Sequence, residues 1–224
     1  MKKPGGCSAA SVTVMTSLTC VTLEVADLTA ADHFYTAAFA LGPRVRLRAG
    51  DAPTTGFRGF TMSITVSQPA DVDSFLGSAL EAGATTLKPA AKSLWGYGGV
   101  VQAPDGTIWK VATSSKKNTG PATRKVDDLV LLLGAEDVKA SKQFYVEQGL
   151  TVAKSFGGKY VEFASEDSSP VKLALYKRRG LAKDVGVTED GSGSHRIVLG
   201  GTTGAFTDPD GFAWEPAPVT SASA

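Results

Sequence analysis

Few side chains in this chain of 224 residues have the chemistry of a reactive or metal-binding site. Two histidines, His33 and His195, and two cysteines, Cys7 and Cys20, are its whole stock of imidazoles and thiols. His33 sits beside Phe34 on the polar side of a helical pattern, a solvent-facing position, so no Ser-His-Asp assembly can be argued. Two cysteines make no disulfide framework. The run Leu94-Trp95-Gly96-Tyr97-Gly98-Gly99 is of another kind: glycines let the backbone approach a ligand, and bulky rings supply flat apolar contact. Trp95 and Tyr97 are therefore candidates for ligand contact, with ordinary packing as the alternative. Tyr160 and Tyr176 could line a cavity in the second half in the same way. Lys154-Ser155-Phe156-Gly157-Gly158-Lys159 lacks the spacing and helix of a phosphate loop and reads as a hairpin turn.

Charge and hydropathy bound the partners. Lysine and arginine total 23 against 22 acidic residues, so no net field recruits nucleic acid or an anionic membrane, despite the local cluster Lys177, Arg178 and Arg179. A small-molecule ligand fits this balance best. No apolar run approaches the roughly 18 to 20 residues that span a bilayer. The expectation is a cytoplasmic monomer or homodimer. Residues 1–15 lack the continuous apolar core of a secretory signal and are expected to be a disordered or leader extension. Residues 218–224 are expected to form a mobile tail.

The elements that must hold these residues occur twice. Phe34-Tyr35 is followed by Ala103-Pro104-Asp105-Gly106, and Phe144-Tyr145 by Asp208-Pro209-Asp210-Gly211, an internal duplication. In each copy a strand (20–25, 128–133) precedes the Phe-Tyr helix, and another (108–112, 213–216) follows the Asp-Gly turn. Val21, Leu23 and Val25 alternate with Thr22 and Glu24, a half-buried strand. Behind the cap candidates Asp27 and Thr29, the residues Ala30, Phe34, Ala37, Ala38 and Leu41 recur at helical spacing until Gly42-Pro43. Phe60, Met62, Ile64 and Val66 give a further strand. From Pro69, the set Val72, Phe75, Leu76, Ala79 and Leu80 predicts a second helix ending at Gly83. The polar stretch 114–125 reads as a linker between domains 16–113 and 126–217. Between the strand that His195 opens and the turn at Asp208, only Gly200 to Thr207 remain, too few for a counterpart of the helix over 70–82.

A Phe-Tyr helix after the first strand and a closing hairpin of the form Asp-Pro-Asp-Gly-Phe-Ala-Trp-Glu resemble the vicinal oxygen chelate superfamily, which includes glyoxalases, bleomycin-resistance proteins and extradiol dioxygenases. The resemblance implies an α+β fold of tandem domains built from βαβββ modules, each sheet rolled into a half-barrel cup, with the second domain shortened by one helix. The family's ligand positions fall on Cys20, near Thr61 and on Lys110 in the first domain. An ammonium repels a divalent cation, so no metal is expected there. Lys110 then anchors an anionic ligand group or forms a structural ion pair. Cys20 is a thiolate activated by Lys110 or a small buried residue. In the second domain the positions fall on Asp128, His195 and Glu215, a set that could hold Fe, Mn or Zn, although extradiol dioxygenases use two histidines where Asp128 stands. The implied function is binding of a small aromatic or hydrophobic molecule in a metal-free cup. The alternative is a metal-dependent enzyme, glyoxalase-like or extradiol dioxygenase-like, acting through the second domain. No catalytic residue is assigned.

Overall fold

Alternation and helical spacing become elements at nearly every expected position in the computed structural model, which describes residues 16–165, 169–202 and 204–217. The extension expected over 1–15 and the tail over 218–224 lie outside the described residues. The first half contains β1 (Leu18–Val25), α1 (Leu28–Ala38), β2 (Val45–Ala49), β3 (Thr54–Gly56), β4 (Phe60–Thr65), α2 (Pro69–Glu81), β5 (Thr85–Ser93), β6 (Gly96–Gln102) and β7 (Ile108–Thr113). The second half contains β8 (Asp128–Ala135), α3 (Val138–Glu147), β9 (Val152–Phe156), β10 (Tyr160–Phe163), β11 (Lys172–Lys177), α4 (Arg178–Val185), β12 (Gly191–Gly193), β13 (Ile197–Gly201), β14 (Phe206–Thr207) and β15 (Ala213–Pro216). Asp27 caps α1 by accepting the Ala30 N–H at 3.0 Å, and Asp137 caps α3 through Lys139 and Ala140, satisfying amides a helix start leaves unpaired. Strand β13 starts later than expected, at Ile197, because Arg196 has φ 51. Among the described residues no helix lies between β13 and β15, and none is long and apolar enough to cross a membrane.

The sheets do not follow the two halves of the sequence. An eight-stranded sheet runs β5-β6-β7-β4-β8-β11-β10-β9, and a five-stranded sheet runs β14-β15-β13-β1-β2. Each contains strands from both sides of the linker. The seam of the larger sheet is the antiparallel pair β4–β8, from Phe60↔Leu133 to Thr65↔Asp128. Inward positions of both sheets, including Leu23, Met62, Trp109, Leu131 and Leu175, share one core with Phe34, Phe75 and Tyr145 from the helices.

The duplicated motifs are the hydrogen bonds that tie helix to hairpin. Tyr35 donates to Asp105 Oδ1 at 3.0 Å, and Tyr145 donates to Asp208 Oδ2 at 2.7 Å while accepting from Trp214 Nε1 at 3.2 Å. Burial first, and the facing carboxylate second, push both phenols well above their ordinary range, so each remains a donor.

The linker is fastened along its length to α2. Gln68 Oε1 accepts the Thr119 and Gly120 amides at 2.7 and 3.1 Å. The buried Asp71 carboxylate takes the Thr123 and Arg124 amides at 2.5 and 2.8 Å. Arg124, at φ 55, reaches the Ala38 carbonyl at 2.8 Å and lies 4.5 Å from the centre of the Phe75 ring. Burial raises the Asp71 pKa, but amide donation from Arg124 and Thr123 outweighs it, and the carboxyl titrates below its usual range. Replacing Asp71 with Ala orphans those amides and is expected to cost about 2 to 4 kcal/mol at neutral pH, read by urea denaturation. Because the folded pKa is depressed, this contribution is complete above the unfolded carboxyl pKa of about 3.9 and disappears as pH falls through the folded value. Wild type and variant should therefore converge in stability on acidification below about pH 4.

The two tyrosines are expected to differ. Tyr145→Phe leaves both Asp208 Oδ2 and Trp214 Nε1 without this partner, whereas in Tyr35→Phe the Asp105 carboxylate keeps Thr107, at 2.8 and 3.1 Å. Asp208 likewise keeps the Asp210 and Phe212 amides, at 3.0 and 2.8 Å, so the difference lies in Trp214 Nε1, which Tyr145→Phe alone leaves unpaired. The first substitution should cost about 1 to 3 kcal/mol and the second less, and equal midpoints in urea would contradict this.

Candidate functional site

Helix α4 covers part of the face of the eight-stranded sheet opposite α2 and α3. Leu181, Ala182 and Val185 pack against Phe57, Val100 and Ile108, with Leu132 and Tyr176 at the margin. The spacing i, i+1, i+4 gives this short helix one apolar stripe, and Gly186 at φ 84 ends it. Its close approach depends on Gly134: a Cβ there would lie 2.8 Å from the Gly59 oxygen and 3.2 Å from Arg178 Cα. Thr61, fully buried on β4, keeps an Oγ1 with no hydrogen-bond partner.

Beside α4 the sheet is open. A groove of about 340 Å³ is lined by Trp95, Gly96, Gly98, Lys110, Ala112 and Asp184, among others. Lys110 Nζ meets Asp184 at 2.6 Å, and Lys88 Nζ holds the end of α4 through the carbonyls of Lys183 and Asp184 at 3.0 and 2.5 Å. Gly96 and Gly98 line its floor, and the pairing of β6 with β7 requires glycine at 98, where a Cβ would stand 2.8 Å from the Val111 oxygen. Trp95 is 84% exposed, at the tip of the β5–β6 hairpin, on the rim of the groove.

The candidate residues separate at this point. Trp95 and Lys110 share the groove. Tyr97 borders it through its backbone, but its ring packs on the helix side and its hydroxyl donates to Asp73 of α2 at 2.7 Å. That bond, then burial, raises its pKa. Alternation along β6 sends residue 97 toward α2 and residues 96 and 98 toward the groove. Cys20 is buried in the five-stranded sheet against Gly200, away from Lys110, so the small apolar reading describes its surroundings. Sequence reasoning missed Asp184. The signal was present in Leu181, Ala182, Val185 and Gly186, behind a run read only as a basic cluster.

The residues considered for a metal stand apart. Asp128, on the larger sheet, pairs with Lys172 at 2.6 Å. Glu215, on the smaller sheet, is bound by Arg48, itself 2.7 Å from Glu24. His195 is wedged between two backbone acceptors, Arg58 O at 2.6 Å from Nδ1 and Asp210 O at 3.0 Å from Nε2, with its ring stacked on Phe212. Each donor has another partner, and among the described residues no three histidine, cysteine or acidic side chains gather as a metal would require. Asp128, His195 and Glu215 as they stand do not fit a divalent ion.

No known family profile and no curated protein matches the chain. Solved structures do. Glyoxalase I from Zea mays superposes with a TM-score of 0.58 at 15% identity, over 89% of this chain and 91% of that one. A protein from Bacillus subtilis subsp. subtilis str. 168, provisionally described as a dioxygenase, does so with a TM-score of 0.50 at 11% identity, over 81% and 69% of the two chains. At these identities the likeness is one of fold. The chain shares the fold of these structures, the fold that its repeated motifs resemble.

Proposed function

We propose that this chain binds a small, flat, largely apolar molecule in the groove beside α4 and does so without a metal. One observation carries the reading: the groove unites a glycine floor, an exposed indole at the rim and a single ion pair at its end. A floor without side chains admits the face of a ring system, and Trp95 supplies a second face. Lys110 and Asp184 form an ion pair at the end of the groove, and Lys88 and Lys92 add positive charge to its lining, so it suits a ring system that carries a polar or anionic substituent. The volume of about 340 Å³ lies near the lower end of the range for small-molecule sites. A metalloenzyme acting through Asp128, His195 and Glu215 is a weaker reading, because each of those groups is already paired.

The tryptophans provide the test. Trp109 and Trp214 are buried, at 0% and 1% exposure, against 84% for Trp95, so acrylamide quenching of the intrinsic fluorescence reports on Trp95. Titration with bicyclic aromatic probes such as 2-naphthol and 2-naphthoate should shield this fluorescence, and Trp95→Ala should weaken binding by about 1 to 3 kcal/mol through lost apolar contact. Unchanged affinity in the variant would place the ligand elsewhere. Stoichiometric Fe, Mn or Zn retained by protein purified without chelator would overturn the metal-free part of the reading.

A further inference from the structure

Helix α4 belongs to neither of the units that build the larger sheet. The chain's second unit is β4, α2 and β5 to β7, and its third is β8, α3 and β9 to β11. Helix α4 follows the third, yet its last turn is fastened to strands of the second. Lys110 on β7 holds the Asp184 carboxylate at 2.6 Å, and Lys88 on β5 donates to the carbonyls of Lys183 and Asp184. The stem of Lys88 lies across Gly186, where a Cβ would stand 3.0 Å from Lys88 Cε. Two cations thus grip a carboxylate together with the negative end of a helix.

The strand register shows what this grip adjoins. Lys88, Val100 and Lys110 stand side by side across β5, β6 and β7, and Ala91, Gly98 and Ala112 form the next row on the same face. No side chain in that second row is larger than a methyl group, so a planar ring can lie flat on it, with Trp95 at the far rim. Along β6 and β7 the rows are two residues apart, roughly 7 Å, a span that a carboxylate carried directly on the ring system can bridge. Lys92 also lines the groove and forms no salt bridge among the described residues. The lining therefore sets three lysines against one acidic side chain. With side chains 31% and 41% exposed, the Lys110–Asp184 pair is reached by solvent, and ion pairs so placed are held weakly enough for another anion to compete.

Granted that the groove is the ligand site, we propose that its ligand is an aryl carboxylate and that Asp184 is a tethered stand-in for the ligand's carboxylate. The ring lies on the row of Ala91, Gly98 and Ala112. The carboxylate takes Lys110 and Lys88, Asp184 gives them up, and the end of α4 is released. An uncharged ring gains nothing from the lysines, and a cationic one meets their repulsion. Lys110 thereby fills both roles that its sequence position suggests, ion-pair partner in the free protein and anion anchor in the complex. Because Asp184 competes for the same cations, it sets how tightly a carboxylate is held.

Calorimetric titration of the full chain at low ionic strength compares three probes of one shape: 2-naphthoate, its uncharged isostere 2-naphthamide and the cationic 2-naphthylmethylammonium. Naphthoate should bind at least about fivefold more tightly than naphthamide, and the cation more weakly than either. Asp184→Asn should raise naphthoate affinity at least about threefold and leave naphthamide within about twofold, whereas Lys110→Gln should reduce the preference for naphthoate to about twofold or less. Near-ultraviolet circular dichroism verifies that both variants fold. Saturating naphthoate, but not naphthamide, should speed hydrogen exchange at the Gly186 and Val187 amides, which close the end of α4 on Lys183 and Ala182. Equal affinity for naphthoate and naphthamide in the wild type, or no gain for naphthoate in Asp184→Asn, would overturn the anion subsite; the groove itself would stand if Trp95→Ala still weakened both probes. No binding by any probe, or binding that Trp95→Ala leaves unchanged, would overturn the groove as the ligand site and the anion subsite with it.

Discussion

The antiparallel register of β4 against β8 is the constraint on which the rest of the molecule depends. Six residue pairs, Phe60↔Leu133 through Thr65↔Asp128, join strands on opposite sides of the linker. Once they are in register, the face of the larger sheet is common property of both halves. The groove takes its floor from β6 and β7 and its acidic wall from α4, and neither half could form it alone. A slip of one residue in this pair would turn Thr61 and Ser63 toward the helices and Met62 and Ile64 toward α4. The apolar set Phe60, Met62 and Ile64 therefore specifies the groove as well as the core.

The linker supports that register although it has little regular structure. Its amides end on Gln68 and Asp71 and its one well-placed guanidinium on α1 and α2, so the chain enters β8 from a fixed point. Unlike most polar segments between periodic runs, it is organised by side chains of a helix that precedes it by some 50 residues in sequence. Composition alone marks such a stretch as a loop; it does not reveal that buried acceptors await its amides.

Much of the architecture was legible in the sequence. Alternation in β1 and β4, helical spacing in α1 and α2, and the repeated Phe-Tyr and Asp-Gly motifs each correspond to an element, and the motifs have a physical reason in the Tyr35–Asp105 and Tyr145–Asp208 bonds. Pairing between halves was not legible, because periodicity states which face of a strand is buried and says nothing of which strand lies beside it. The candidate site was legible in part. Trp95 and Lys110 share a groove, but the face of Tyr97 depends on which residue of a glycine-rich strand starts the alternation. Asp128, His195 and Glu215 were linked by motif position alone, and their partners Lys172, Arg58 and Arg48 come from distant parts of the chain. Helix α4 was hidden by its brevity and by the three cations at its start.

Strand order also gives the molecule a cyclic character. The second unit hands on to the third through β4 and β8, and the last returns to the first through β13 and β1. Ser17 and Ala217, near the two ends of the described chain, both bond to the segment Gly201–Thr202, Ser17 through its carbonyl at 3.2 Å and Ala217 through its amide at 2.8 Å. The described backbone thus closes almost into a ring, with Ser17 and Ala217 about two strands apart, roughly 10 Å by strand spacing. Topologically, a break at the linker and a join between these ends would leave every strand neighbour unchanged, so the order of the halves along the polypeptide is separable from the shape they make.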